Sequence, residues 1–323
     1  MSKFFKESIH SDIIIHWTGR DFDPLVSSDP HGPPLQWHEF KNDGRIIDIP
    51  EIKEDLLKDK KRKVFSRYSY EHPSVKLGED LEKKYIERLK DILKFGLWIT
   101  KDKNPEKIKV NGGEFELPCV PRICFTELKL SESRKHAFKY GRLGIGVKRL
   151  FLTTRGGQPM YYVNSRGRNL FFPPFIDKER VKEDHYAFFK NMSSKYDLTY
   201  DFYSESEWRI IWHPKIDKKY FINPRGNLEE EFKKYTYHNA TFEEFKEYCE
   251  RYKNNKHLQY LLPLDGWLAM IIYPSPEVKN KTRESGIPDL IKNIKLNNSY
   301  RISPSYEQKM MPVELDLDLC AHF

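Results

Sequence analysis

The 323-residue chain reads as an α+β protein, a single domain over residues 1–323 with an irregular insertion at about residues 20–80. Three observations predict this class. Short apolar runs bounded by Gly and Pro outnumber the long amphipathic stretches, and their order along the chain is mixed rather than βαβα. The stretch from Pro121 to Val163 holds three such runs, with one polar, helix-like insert between the first two. Apolar residues reach only 38% while aromatics make up 14%, so the core draws on Phe and Tyr as much as on aliphatics.

The elements follow in order. Asp12-Ile-Ile-Ile-His16-Trp-Thr18-Gly19 is a β-branched run ending in a polar cluster, which predicts a buried strand with His16 at its end. Residues 20–50 carry Pro24, Pro30, Gly32, Pro33 and Pro34 without a sustained period, the mark of an irregular loop or insertion. From Glu79 to Phe95 the period becomes helical, with Leu81, Tyr85, Ile86, Leu89, Ile92 and Leu93 on one face and Gly96 at the C′ position. Leu97-Trp98-Ile99 begins an extended segment, and Asn111-Gly112-Gly113 marks a hairpin turn.

Within Pro121–Val163 the expected order is a strand, a helix capped by Ser131 or Ser133 and stopped by Gly141, and a strand over Gly144–Val147. Leu150–Thr154 fits either class, and Gln158–Val163 reads as one more strand. Val181–Tyr196 is read as a helix burying Tyr186, Phe188, Phe189 and Met192. The run Tyr203–Trp212 alternates as a strand, placing Tyr203, Glu205, Glu207 and Arg209 on one face and Trp208, Ile210 and Trp212 on the other. Thr241-Phe-Glu-Glu244 is a capping box that opens a helix to about Asn254. Leu268–Tyr273 is a strand stopped by Pro274 and Pro276, Pro288–Ile294 a short helix, and Tyr300–Ser303 a last strand. The alternating tail after Val313 suits an edge strand.

The net charge of +8 permits an anionic partner, although 48 acidic residues interspersed with 56 basic ones describe a mixed, solvated surface. Lys58-Asp-Lys-Lys-Arg-Lys63 lies beside Phe65, Tyr68 and Tyr70, and the segment Lys58–Arg67 reads either as a nucleic-acid contact or as a solvated loop. Cys119, Cys124, Cys249 and Cys320 have no CxxC pairing and no zinc-spaced histidine, so reduced thiols and no metal are expected. With no apolar leader and no run of about 18 uncharged residues, the expected location is the cytoplasm.

For chemistry the sequence offers His16 and Thr18 after the first strand, and Glu205 and Glu207 on a late one. Each has an ordinary structural explanation: a satisfied strand-end histidine, and an exposed Glu-x-Glu balanced by Arg209. Dinucleotide and phosphate-loop glycine motifs, the nucleophile elbow and the His-Glu-x-x-His zinc helix are missing. What remains is the combination of His-x-Thr with Glu-x-Glu.

Several blocks together resemble the AbiGi abortive-phage-infection family: Cys124-Phe-Thr-Glu, the Ser-rich helix, Tyr140-Gly-x-x-Gly-Ile-Gly146, Gln158-Pro-x-x-Tyr162 and Glu207-Trp-Arg209. His16-x-Thr18 and Leu89-Lys-Asp-Ile-Leu-Lys-Phe-Gly96-Leu97 match the family's opening His-Phe-Thr and its Leu-x-x-Ile-Leu-x-x-Gly-Leu. The chain departs from the family pattern in a longer segment between Thr18 and Leu81. More distantly, the layout is similar to ADP-ribosyltransferases of the His-Tyr-Glu type. That resemblance implies a split, mainly antiparallel sheet flanked by helices, with NAD as substrate in its cleft. It implies that His16 and Thr18 hold the nicotinamide ribose and carboxamide side, that Tyr140 or Tyr162 stacks on the nicotinamide, and that Glu207 is the catalytic carboxylate. Glu205 would orient the incoming nucleophile. The AbiGi resemblance also implies a defence role, either as such an effector or as a non-catalytic antitoxin that binds a partner protein of the same system.

Overall fold

The computed structural model describes residues 12–23, 38–40, 46–48, 77–101, 107–110, 113–127, 129–163, 184–191, 206–214, 220–235, 238–297 and 311–320. In chain order the strands are β1 (Ile13–Thr18), β2 (His38–Phe40), β3 (Ile46–Asp48), β4 (Leu97–Thr100), β5 (Lys107–Val110), β6 (Gly113–Glu116), β7 (Arg122–Thr126), β8 (Leu143–Lys148), β9 (Gln158–Pro159), β10 (Tyr161–Val163), β11 (Phe189–Asn191), β12 (Glu207–Ile211), β13 (Leu258–Leu262), β14 (Leu268–Tyr273) and β15 (Val313–Asp316). The helices are α1 (Glu79–Phe95), α2 (Ser133–Tyr140), α3 (Arg149–Thr153), α4 (Leu228–Phe232), α5 (Phe242–Arg251), α6 (Pro276–Arg283), α7 (Ile287–Asn297) and α8 (Leu317–Cys320). The architecture is mixed α and β around a mostly antiparallel central sheet.

The main sheet runs β13-β4-β7-β1-β8-β14-β15, with β12 paired to β7 and carrying β9. Every pairing in it is antiparallel except β14 with β15. The sheet forks at β7. One edge of β7 is matched residue for residue by β12, from Glu207↔Thr126 to Ile211↔Arg122. Its other edge is divided: β1 meets it at Ile15↔Thr126 and β4 meets it at the opposite end, at Thr100↔Arg122.

Alternation along the strands sends side chains to two cores. On one face Ile14, Phe125, Leu143, Ile145 and Ile271 pack with Tyr85, Leu89, Ile92 and Leu93 of α1 and with Ile287, Ile291 and Ile294 of α7. On the other, Ile15, Trp17, Met270 and Ile272 pack with Ala137 of α2 and Leu317 and Cys320 of α8. A third cluster joins Phe95 to Phe245, Tyr248 and Cys249 of α5 and to Leu258 and Leu261 of β13. Gly146 belongs to the second face, where an added Cβ would lie 2.6 Å from the Cβ of Met270. The strand pair therefore closes only without a side chain at that position.

Helix α1 follows from local rules. Acidic residues Glu79, Asp80 and Glu82 open it, Lys94 sits in the last turn, and Gly96 closes it. The Thr241 capping box closes reciprocally with Glu244, as its sequence requires. Three readings are corrected. Val181–Tyr196 is not one helix: Asp184–Phe188 form a 3-10 turn, and Phe189–Asn191 pair in parallel with β10. Its aromatic residues serve different neighbours, since Phe188 packs with Met160 and Ile211 while Phe189 stacks on Tyr161 at 5.4 Å. Pro276 does not merely stop β14 but occupies the first turn of α6, with Ser275 as its cap. Gln158–Val163 is two short strands separated by the buried Met160. Glu205, the basic segment Lys58–Arg67, most of the expected insertion and Tyr300–Ser303 lie outside the described residues. Among the described residues no helix is long and apolar enough to cross a membrane.

The corner after β1 is held by a buried polar cluster. Arg142 Nε donates to Asp23 at 2.6 Å and the Tyr85 hydroxyl donates to the same carboxylate oxygen at 2.5 Å. The Arg142 amide in turn donates to the Tyr85 hydroxyl. Burial and the Asp23 charge push the Tyr85 phenol above its usual range, so it stays a donor. Against this corner lies Gly141 at φ +118°, where an added Cβ would sit 2.1 Å from the Thr18 carbonyl carbon. Gly141→Ala is expected to cost at least about 2 kcal/mol, since the left-handed strain adds to a backbone clash. Gly78→Ala, with nothing within 4 Å, should stay within about 1 kcal/mol. Urea denaturation of the two variants checks this; equal midpoints would refute the packing argument.

Candidate functional site

The fork at β7 opens into a cleft of about 760 Å³. Its walls come from β1 (His16, Thr18), β7 (Cys124, Thr126), β12 (Glu207, Arg209) and α2 (His136, Tyr140), with Lys190, Arg88 and Trp98 beside them. The structure thus brings His16, Thr18, Tyr140 and Glu207 to one cavity. Tyr162 does not line it but packs against the Met160, Ala187, Phe188 and Ile211 cluster.

His16 is half-buried, with Nδ1 2.8 Å from the Cys124 carbonyl oxygen. A carbonyl only accepts, so Nδ1 carries the proton and Nε2 keeps the lone pair. Burial above all, with the Arg88 charge adding to it, lowers the His16 pKa to about 4, against the opposing effect of the Cys124 hydrogen bond. His16 is therefore a neutral imidazole at neutral pH. Thr18 Oγ1 accepts from Arg88 Nη1 at 3.1 Å, which orients its own O–H as a donor. Arg88 also pairs with Asp21 at 2.5 Å and lies over the Trp98 ring, 5.0 Å from its centroid.

Glu207 Oε1 accepts from Arg209 Nε at 2.8 Å and Oε2 from Lys190 Nζ at 3.3 Å. The Cys124 thiol donates to the same carboxylate. Burial opposes ionisation, but Arg209, Lys190 and these hydrogen bonds outweigh it and hold Glu207 well below the usual carboxylate range. Burial and the Glu207 charge push the Cys124 thiol up to about 12. Cys124 thus connects the two ends of the candidate site, its carbonyl holding His16 and its thiol holding Glu207.

Four contributors were not picked out by sequence reasoning: Cys124 as a linking residue, Arg88, His136 and Lys190. Arg88 had a signal, as a cation three residues from Tyr85 and four from Ile92 on the buried stripe of α1. Lys190 had none, because a helix over Val181–Tyr196 makes it one more polar residue outside the apolar positions. His136 is buried in α2, its ring 5.7 Å from that of Tyr140. The cleft lining carries six cationic side chains, Arg20, Arg88, Lys101, Arg122, Lys190 and Arg209, against the carboxylates Asp21 and Glu207. Such a cavity favours an anionic, phosphate-bearing ligand. Among the described residues no group of three or more His, Cys, Asp or Glu side chains is placed to hold a metal ion. The four cysteines are not joined in disulfides.

A scan against protein-family models, a search of curated proteins and a search of solved structures each find no match to this chain.

The His16 environment has a pH signature. Its folded pKa, near 4, is below the unfolded value of about 6.5, so the unfolded chain takes up a proton first as pH falls. Stability is lost between about pH 6.5 and 4 through His16, and further loss through Glu207 starts only below about pH 4.3. His16→Asn keeps a donor for the Cys124 carbonyl and removes the titration. Melting temperatures across that range should fall less steeply in the variant than in the wild type; parallel profiles would refute the assignment.

Proposed function

We propose that the chain is a component of a bacterial abortive-infection system and acts there as an NAD-dependent ADP-ribosyltransferase on a macromolecular target. One observation carries this reading: His16, Thr18, Tyr140 and Glu207 line a single cleft of about 760 Å³, within the range of roughly 300–1,000 Å³ for small-ligand sites. The forked antiparallel sheet supports a split sheet of the ADP-ribosyltransferase type. The defence role rests on the motif resemblance.

The residues suit the chemistry. The neutral His16 Nε2 accepts from a ribose hydroxyl, and the Thr18 hydroxyl, oriented by Arg88, donates to a carboxamide oxygen. Tyr140 offers an aromatic face to the cationic nicotinamide ring. In the reaction the bond between ribose C1′ and the nicotinamide nitrogen breaks, and the electron pair leaves with nicotinamide. A nucleophile of the target then bonds to C1′ and releases its proton to water. The ribose passes through an oxocarbenium-like state that a nearby carboxylate stabilises. An ionised carboxylate has about four acceptor positions. Among the described residues Arg209, Lys190 and Cys124 take three on Glu207, and in this reading a ribose hydroxyl takes the fourth. Glu205 keeps its proposed role of orienting the nucleophile.

A second reading is a non-catalytic antitoxin or regulator that binds a partner protein. It is favoured by the two cations on Glu207, which cancel much of the negative field an oxocarbenium ion requires. Turnover separates the readings. With purified protein, NAD consumption and transfer of labelled ADP-ribose are expected to fall by about 10²–10³ in Glu207→Gln, the scale of a lost electrostatic contact in a transition state. That variant leaves Arg209 and Lys190 buried beside a neutral amide, which can cost about 3–5 kcal/mol, so its melting temperature is measured alongside. Thr18→Val leaves the Glu207 cluster intact and should raise KM for NAD. No turnover in the wild type would sink the transferase reading and leave the partner-binding one, whereas equal turnover in wild type and Glu207→Gln would rule out Glu207 as the catalytic carboxylate.

A further inference from the structure

We infer that the last residue of α5 and the turn after it, residues 251–257, together with the adjoining end of β4, form a docking surface for single-stranded nucleic acid that leads into the mouth of the cleft. This stretch reads Arg251-Tyr-Lys-Asn-Asn-Lys-His257, with no carboxylate. Arg251, Lys253, Lys256 and His257 are exposed, as is Lys101 just beyond β4. The backbone beneath them is fixed. The Arg225 guanidinium donates to the carbonyls of Asn255 at 2.6 Å, Leu258 at 2.7 Å and Lys253 at 3.4 Å. Lys101 N donates to the His257 carbonyl at 3.2 Å, and the Asn255 side chain accepts from His257 N at 2.9 Å. A turn held at so many points presents its cations without a further backbone ordering cost on binding.

This surface is continuous with the candidate site, because Lys101, Asn255 and His257 line the cleft together with Trp98. Among the described residues lining the cleft, the carboxylates are Asp21 and Glu207, each engaged by an arginine of its own cluster. The pair between Lys253 and Glu250 at 3.3 Å is largely exposed on both sides and therefore weak. Cations along a backbone path beside an aromatic ring are the combination that holds unpaired bases and their phosphates. Trp98 supplies the ring, braced edge-on by Tyr252 at 4.8 Å. That ring favours a nucleic-acid strand over an acidic peptide, and an aromatic face that takes unpaired bases favours a single strand over a duplex. The strand's role as acceptor of ADP-ribose rests on the transferase reading, whereas its docking does not. The surface uses none of the residues of Lys58–Arg67.

The test is fluorescence anisotropy of a short labelled single strand with the full chain, across a salt series and without NAD. Affinity should fall linearly with salt on logarithmic axes. Lys101→Ala/Lys253→Ala/Lys256→Ala should bind at least about tenfold more weakly at low salt, with a slope smaller by about 2, since each phosphate contact on a single strand contributes about 0.7. These exposed changes should leave the melting temperature unchanged. The inference is overturned if the wild type does not bind, or if the triple variant binds with the wild-type slope. It is equally overturned if neutralising Lys60–Lys63 alone abolishes binding, or if an acidic peptide is preferred. Strand binding without NAD turnover would keep the docking surface and remove only the transferase reading.

Discussion

Strand β7 has one complete edge and one divided edge, and the candidate site follows from that asymmetry. Alternate residues of a strand aim their backbone polar groups at the same edge. Arg122, Cys124 and Thr126 therefore serve the divided edge as a set. Thr126 is met by β1 and Arg122 by β4, while the Cys124 carbonyl between them receives the His16 imidazole. A buried carbonyl must find a donor, and here a side chain supplies what a continuous strand would have supplied. The same fork leaves the space into which Thr18, Tyr140 and Glu207 face.

The corner after β1 keeps this geometry from relaxing. Tyr85 and Arg142 both reach Asp23, and the pair of Arg142 with Asp23 is almost fully removed from solvent, at 3% and 0% side-chain exposure. A buried pair of this kind adds little net stability but is costly to break, at about 3–5 kcal/mol when one partner is removed. Its effect is therefore to specify one arrangement. Gly19 lies against the Tyr85 ring and Gly141 against the Thr18 carbonyl, so the end of β1 is boxed in on two sides. Arg88 then ties Thr18 to α1.

How much of this could be read in the sequence depends on how local each cause is. Helix α1, the Thr241 capping box, β14 and β1 are dictated by side chains within a few residues of one another, and each was legible. Residues 184–191 were misread because Phe188 and Phe189 answer to distant partners, Ile211 and Tyr161, whose spacing no local period records. β13 went unseen for a related reason, since its partner β4 lies more than 150 residues earlier in the chain. His16, Thr18, Tyr140 and Glu207 were picked out by residue type and motif. Their link through Cys124 was not, because a hydrogen bond from an imidazole to a backbone carbonyl 108 residues away leaves no sequence trace. The fork itself is a matter of strand order.

The protonation states of the linked groups constrain any chemistry in the cleft. His16 titrates near 4 and the Cys124 thiol near 12, while Glu207 stays ionised below the usual carboxylate range. Across the whole interval between those limits the three groups keep a fixed pattern: a neutral acceptor, a thiol donor and an anion. A site built this way is arranged in advance to hold and polarise, and it is badly suited to carrying protons, since a general acid or base works best with a pKa near the operating pH. A proton released by an attacking group must therefore leave through water or through a residue outside this triad. The same fixed pattern would serve a pure binding function equally well, because it keeps the charges of these three groups constant over the physiological range. Catalysis and binding thus differ here in what enters the cleft, while the charge state of His16, Cys124 and Glu207 is common to both.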